Sequence, residues 1–255
     1  MASPVLHHLP IVPAGCKADG LFNASELALA AKFALLTVEK GQGLNLPGFA
    51  DDKMTAIASQ WKRHRRALGL PGGKAMFYIN AKLDWTFYRL HQEMETHPSW
   101  AIQENGAVSG KPCRSKGDPT FPQPSNGLLC FNHSKVEVRQ AFIAACVNAT
   151  TNNGFDGCFI DSAGYARGPP YPGTTANTQL NFARKCHTSL SAINAIGLGT
   201  ISLLAELQKA VGPSKLIIAK DSFGGGSEKY VNSIFPMDTF CSCYRCVCII
   251  LNVLA

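Results

Sequence analysis

The run Phe155-Asp156-Gly157-Cys158-Phe159-Ile160-Asp161-Ser162 constrains this chain more than any other stretch. A turn at Asn153-Gly154 opens into apolar residues that end abruptly on a carboxylate. A short apolar run of this kind is a strand buried on both faces, which requires a parallel sheet covered by helices. An acid at the carboxyl end of such a strand lies where α/β sheets and barrels place ligands and catalytic groups. Asp161 is therefore the first candidate for a chemical role, against the plainer reading in which it caps the next segment. Asp156, a carboxylate before Gly at the strand's start, reads as a turn-fixing residue.

The same pattern recurs along the chain. Ala34 to Val38 ends on Glu39-Lys40, Lys74 to Ile79 ends on Asn80, and Leu216 to Ala219 ends on Lys220-Asp221. A weaker run, Val231 to Met237, ends on Asp238. Helical spacing lies between these runs: Leu27 to Phe33 after a cap at Asn23 or Ser25, then Asp51 to Leu68 with Met54, Ile57, Ala58, Trp61 and Leu68 on one side. Further helices are predicted at Leu83 to Glu95, stopped by His97-Pro98, and at Lys135 to Asn148. Another spans about Gln179 to Val211, broken near Gly197-Leu198-Gly199. Residues 99–127, rich in Gly, Pro, Ser and Asn, form a long excursion of the kind that carries function.

This alternation predicts an α/β fold with a parallel sheet. A dinucleotide-binding sheet is disfavoured, because Gly41-Gln42-Gly43 lacks the third glycine of that turn and Gly224-Gly225-Gly226 opens no helix. No Walker sequence is present. The better reading is a TIM-barrel-like (β/α)8 fold, incomplete at the C-terminus because only about six of its eight strands can be found. Residues 1–240 are expected to form a single barrel-like domain. Residues 241–255 stand apart: Cys241, Cys243, Cys246 and Cys248 precede an apolar end, a composition expected of a non-native or disordered tail on a truncated chain. The thiols lie too close together for an ordinary tetrahedral zinc site.

With 46% hydrophobic and 16% charged residues, the chain can bury a sizeable core and is not disordered. No run is expected to reach the ~20 apolar residues of a membrane span. The net charge of +7 is mild, and much of it lies in Lys62-Arg63-His64-Arg65-Arg66, which reads as a solvated helix face. Without further basic and aromatic clusters, nucleic acid is not an expected partner. Ten cysteines and the sequons at Asn23, Asn132 and Asn148 point to the secretory pathway. Met1 to Gly15 shows no signal-peptide pattern, so either the sequence lacks its true start, which is the reading preferred, or the sequons are chance matches.

Four segments occur in a telling order: Phe33 to Gln42 (FALLTVEKGQ), Phe77 to Trp85 (FYINAKLDW), His97-Pro98-Ser99-Trp100, and Phe155 to Ser162 (FDGCFIDS). Together they resemble the glycoside-hydrolase-like TIM-barrel proteins related to the endo-α-1,4-polygalactosaminidase type, over roughly residues 5–240. The resemblance implies that Phe155 to Ile160 is the fourth strand and that Asp161 is catalytic. It also implies a second acid on a later strand. Asp238 in Phe235-Pro236-Met237-Asp238 can occupy that place, although Glu is more usual there.

Glycoside cleavage needs one carboxylic acid to protonate the leaving oxygen and one carboxylate as base or nucleophile. Asp161, Asp238 and Asp221 are the catalytic candidates. Glu39, Lys40, Asn80, Asp84, Trp85 and Lys220 are the candidates for holding substrate. Tyr78, Trp85, Trp100 and Tyr165 offer aromatic faces for sugar rings, with core packing as the plainer role of each. His133 can point into the mouth or be a satisfied loop histidine. The expected activity is hydrolysis of O-glycosidic bonds in a poly- or oligosaccharide, with no cofactor. The alternative is an inactive barrel that binds carbohydrate. A metal-dependent hydrolase fits poorly, since His7-His8 is the only His pair and no His ends a later strand.

Overall fold

The computed structural model describes residues 20–70, 72–106, 110–163, 183–220, 240–243 and 246–251. Helix α1, Ala24–Ala30, begins at Asn23, whose side chain accepts from the Glu26 amide while Glu26 reaches back to the Asn23 amide. This reciprocal cap explains why so short a helix starts where it does. Strand β1 is Leu35–Val38, and helix α2 is Ala50–Ala67. Acids Asp51 and Asp52 open α2 and His64, Arg65 and Arg66 close it, in the sense that complements the helix dipole.

Strand β2 is Lys74–Asn80, followed by the short β3, Leu83–Asp84. Helix α3, Leu90–Thr96, and a single 3-10 turn at Pro98–Trp100 come next. The excursion then contributes β4, Arg114–Ser115, and β5, Leu128–Cys130, follows it directly. Helix α4 is Val136–Thr151, β6 is Gly157–Asp161, α5 is Leu190–Val211 and β7 is Leu216–Lys220. Two last strands, β8 (Phe240–Cys243) and β9 (Cys246–Leu251), end the described chain.

The main sheet has the order β1-β2-β6-β7-β9-β8, and its first four strands are parallel. The chain is thus an α/β protein with a four-stranded parallel sheet. Met76, Phe77, Ile79, Cys158, Ile160 and Ile217 are almost wholly buried, as strands covered on both faces must be. A second sheet, β3-β5-β4, is antiparallel, and of its strands only β4 lies within the excursion.

Several expectations are corrected. The helix predicted over Leu83 to Glu95 gives up its first residues, because Leu83 and Asp84 pair with Cys130 and Leu129 and leave only Leu90–Thr96 helical. The break expected near Gly197-Leu198-Gly199 is absent, and α5 runs through it. Gly199 is a contact point: a Cβ there would lie 2.0 Å from the His133 carbonyl oxygen, so the missing side chain lets α5 approach the turn that precedes α4. Helix α5, 22 residues with an 18-residue stretch of mean hydropathy 1.5, also departs from the expectation about apolar runs, being long and apolar enough to span a bilayer. Its Ile193, Ile196, Leu203, Leu204 and Leu207 are instead buried in the core.

The basic run of α2 is only partly solvated. Arg65 is buried, donates to the Ala31 and Phe33 carbonyls and lies over the Trp61 ring, while Lys62 pairs with Asp156. Nine residues of the Cys-rich end, together with Phe240, pair with the sheet, since β9 pairs antiparallel with β7 and β8 pairs antiparallel with β9. An apolar, β-branched run beside an open strand edge has its backbone hydrogen bonds satisfied there. The hairpin does not continue the parallel order. The weak strand at residues 231–237 lies outside the described residues.

Candidate active site

The register of the parallel sheet sets Asn80 of β2 directly beside Asp161 of β6. Side chains on one strand alternate between faces, so Tyr78 and Asn80 lie on the same side of β2. Both reach Asp161. The Tyr78 hydroxyl donates to Asp161 Oδ2 at 2.5 Å, and Asn80 Nδ2 donates to the same oxygen at 3.1 Å. The Ser162 amide donates to Asp161 Oδ1 at 2.9 Å.

The supports of this carboxylate are themselves held. Asn80 Oδ1 accepts from the Lys82 and Leu83 amides at 2.9 and 2.8 Å, which fixes which end of the amide faces Asp161. The Tyr78 carbonyl accepts from Tyr88, and the Ala81 amide donates to the Asp161 carbonyl. Ser162 has a φ of 57°, left-handed backbone that costs a non-glycine residue roughly 1 kcal/mol or more. Strain of that kind, at the end of a buried strand, marks a position whose geometry is imposed by its surroundings.

From the end of β1, Lys40 extends the network. Its Nζ lies 3.3 Å from both Tyr78 Oη and Glu39 Oε2. The ammonium also lies 4.5 Å from the Tyr78 ring centroid, 5.3 Å from that of Trp85 and 4.4 Å from that of Phe121. Burial, followed by the Asp161 and Glu39 carboxylates, pushes the Tyr78 phenol far above its usual range, so Tyr78 stays protonated and remains a donor. Lys40, Tyr78 and Asn80 are buried, while Glu39, Asp161 and Ser162 keep partial exposure.

Glu39, Lys40, Asn80, Asp161 and Trp85 are thus brought together, with Tyr78 at their centre. Asp84 is not in this group. It lies on the opposite face of β3 from Trp85, with Oδ2 2.6 Å from His91 Nδ1, and His91 Nε2 is 3.1 Å from Glu95. Burial raises the Asp84 pKa, and the hydrogen bond to Asp84 raises that of His91. Asp221 and Asp238 lie outside the described residues, as do His7, His8 and Tyr165. For Lys220 the structure gives its place, the last residue of β7.

Among the described aromatic candidates, Tyr78, Trp85 and Trp100 each already engage other side chains. Tyr78 is spent on hydrogen bonds, and Trp85 is buried with Phe87 stacked at 5.5 Å and Phe121 edge-on. Trp100 stacks on His97 at 4.4 Å. His133 is fully buried, its Nε2 bonded to the Ala81 carbonyl and its ring against Phe131 and Phe142. Burial lowers its pKa to about 4, so it is a neutral core histidine. Sequence patterns alone missed Tyr78 as a donor and Phe121 as a neighbour of Lys40. The signal for Tyr78 was its spacing, two residues before Asn80 on one strand face.

Residues 70–231, more than half of the chain, match the family described as hypothetical glycosyl hydrolase family 15. The chain belongs to that family. No curated protein matches the sequence. Among solved structures it is similar to alpha-L-fucosidase isoenzyme 2 from Paenibacillus thiaminolyticus, at 10% identity over 82% of this chain and 30% of that one, with a TM-score of 0.42. It is similar also to the glycoside hydrolase domain of PelA from Pseudomonas aeruginosa, at 11% identity over 78% of this chain and 56% of that one, TM-score 0.42. A third is the alpha-galactosidase TtGalA from Thermus thermophilus, at 14% identity over 76% and 36%, TM-score 0.42. The chain spans less than two thirds of the length of each of these three.

Proposed function

We propose that this chain is a glycoside hydrolase that cleaves O-glycosidic bonds of a poly- or oligosaccharide, with Asp161 as its base or nucleophile. The observation that carries this reading is the hydrogen bonding of Asp161. Its oxygens accept from Tyr78, Asn80 and the Ser162 amide. A carboxyl group that must give its own proton to a leaving oxygen is poorly served by three donors pointed at it. A carboxylate that must take a proton or attack carbon is held in place by them.

The general acid then comes from elsewhere, with Asp238 the first choice and Asp221 the second. The paired carboxyl groups would stand ~5–5.5 Å apart for a retaining enzyme or ~6.5–9.5 Å apart for an inverting one. Lys40, positioned by Glu39 and Tyr78, supplies positive charge near the developing negative charge of the leaving group. The four parallel strands fit an arc of a (β/α)8 barrel whose carboxyl ends carry the site. The disulfide Cys113–Cys186 supports a secretory-pathway location, because such bonds persist in oxidising compartments.

The test is hydrolysis of a panel of α- and β-linked polysaccharides by the wild type and by Asp161→Asn. The substitution keeps shape and removes charge, so turnover of whichever polymer is cleaved should fall by at least about 10²-fold. Equal turnover by the two proteins removes Asp161 from the chemistry. Binding without hydrolysis by both means that the site holds carbohydrate without cleaving it.

A further inference from the structure

The hairpin that joins β4 to β5 carries a long loop, residues 116–127, closed at its base by the pairing of Ser115 with Leu128. Pro119, Pro122 and Pro124 stiffen it. The loop is also bonded to itself. The Gly117 amide donates to Gln123 Oε1, while Gln123 Nε2 and the Phe121 amide donate to the Asp118 carbonyl. Asp118 Oδ1 accepts from the Thr120 amide and hydroxyl. Among the described residues, every hydrogen bond of residues 117–126 stays within the loop or goes to Gly127 at its base. Gly127 has a φ of 86°, and a Cβ there would lie 3.0 Å from the Ser115 carbonyl oxygen, so the turn at the base requires glycine. The loop is thus a stiff body on a narrow stem.

One buried side chain fastens this body to the rest of the protein. Between Lys116 and Asn126 only Phe121 is buried. Its ring stands edge-on to Trp85 at 5.5 Å, and its centroid lies 4.4 Å from Lys40 Nζ. Gly117 lies on the same indole, for a Cβ there would come within 2.5 Å of the Trp85 ring. Lys40 in turn reaches Tyr78, the donor to Asp161. Beneath the loop, Trp85 Nε1 is buried and has no acceptor among the described residues. A buried donor left unbonded is costly and rare, and it calls for a partner. A ring centroid 4.4 Å from an ammonium is in contact with it, so no sugar fits between Phe121 and Lys40. Phe121 and a ligand would compete for one place.

We propose that residues 116–127 form a flap, latched by Phe121 over a sugar subsite whose floor is Trp85 and Lys40. Entry of a glycan lifts Phe121 away. A sugar hydroxyl oxygen then takes its place and accepts from Trp85 Nε1 and Lys40 Nζ, which its two lone pairs allow. The flap opens as a body because its own hydrogen bonds survive the motion and only the packing of Phe121 and Gly117 is lost. This rests on the glycoside-hydrolase reading and adds to it a gate and the subsite beneath.

The experiment compares the full chain with Phe121→Ala and with the milder Phe121→Leu, which carries the comparison if the alanine variant does not fold. Acrylamide quenching of tryptophan fluorescence reads the flap, with Trp85→Phe in each background giving the share of Trp85. Quenching of Trp85 should rise in Phe121→Ala and, to a smaller extent, in Phe121→Leu. Maltotriose, galactotriose and chitotriose are the binding probes, read by calorimetry and by the Trp85 indole N–H resonance. At least one should bind about tenfold more tightly to Phe121→Ala than to the wild type, because the burial of one Phe ring no longer opposes entry. Its binding should move the Trp85 resonance. The proposal is overturned if Trp85 is as protected in the variants as in the wild type or if none of the probes binds. It is overturned also if the tightest probe binds the variants no better than the wild type, or leaves the Trp85 resonance in place. Tighter binding to Phe121→Ala with no polymer hydrolysed by either protein would keep this inference and end the hydrolase reading. Asp161-dependent hydrolysis together with any of the overturning results would do the reverse.

Discussion

Two aspartates bracket β6, and they are held in opposite ways. Asp156, at the amino end, accepts from the Ala75 amide at 2.8 Å and pairs with Lys62 at 2.6 Å and with Lys74 at 3.9 Å. Asp161, at the carboxyl end, is bonded by a phenol, a side-chain amide and a backbone amide. Cations at one end of the sheet neutralise a charge and stitch β6 to β2 and α2. The donors at the other end, Tyr78, Asn80 and the Ser162 amide, orient a carboxylate at the mouth of the sheet. The same residue type on one strand therefore serves architecture at one end and chemistry at the other, and the difference lies in the partners.

The largest expected effect comes from moving both aspartates at once. A Cβ at Gly157 would lie 1.9 Å from the Leu216 carbonyl oxygen, so Gly157→Ala must push β6 away from β7. The expected loss is about 3 kcal/mol, read by denaturant unfolding, with activity falling alongside. Asp156→Ala should cost about 2 kcal/mol, because it leaves Lys62 and the Ala75 amide without their shared acceptor. The turnover of the remaining folded protein should be unchanged, and a changed turnover would blur the contrast between the two ends.

Tyr78→Phe sharpens the contrast from the other side. It removes the donor at 2.5 Å from Asp161 without changing the shape of the ring. Turnover should fall about tenfold, equivalent to about 1.4 kcal/mol, with little change in melting temperature.

The smallest effect concerns Asp84 and His91, the pair set apart from the Asp161 network. Both pKa values are raised in the folded protein, Asp84 by burial and His91 from an ordinary 6.5 by its bond to Asp84. The folded state then binds more protons than the unfolded one over the range of these shifts. The contribution of His91 is fully present below about pH 6.5 and is lost as pH rises through its raised folded value. His91→Gln should flatten that decline in stability measured from pH 6 upward, with activity at pH 6 unaltered.

Much of this contrast is legible in the amino-acid sequence, for physical reasons. The runs ending at Val38, Asn80, Asp161 and Lys220 are strands because their apolar continuity leaves them no other way to be buried. Their shared direction follows from the helices between them, so Glu39, Asn80 and Asp161 had to gather at one end. The excursion was not legible, since β3 and β4 are two residues long and exist only through pairing with β5. Leu83 to Glu95 has helical spacing, and tertiary pairing overrode it. Asp84 followed β3 to its other face for the same reason. Tyr78 was visible as an aromatic residue but not as a donor, because its role depends on the distance across to β6. The approach of α5 to His133 likewise turned a glycine that looked like a break into a contact.

The division of labour along β6 is tested most directly by measuring Asp161→Asn and Asp156→Asn side by side, for thermal stability and for hydrolysis of the polymer that the wild type cleaves. Asp161→Asn should melt near the wild type and have lost its turnover. Asp156→Asn should melt lower and turn over normally at a temperature where it is folded. If the two substitutions lower stability and turnover in parallel, that division is contradicted and Asp161 is a structural aspartate like its neighbour.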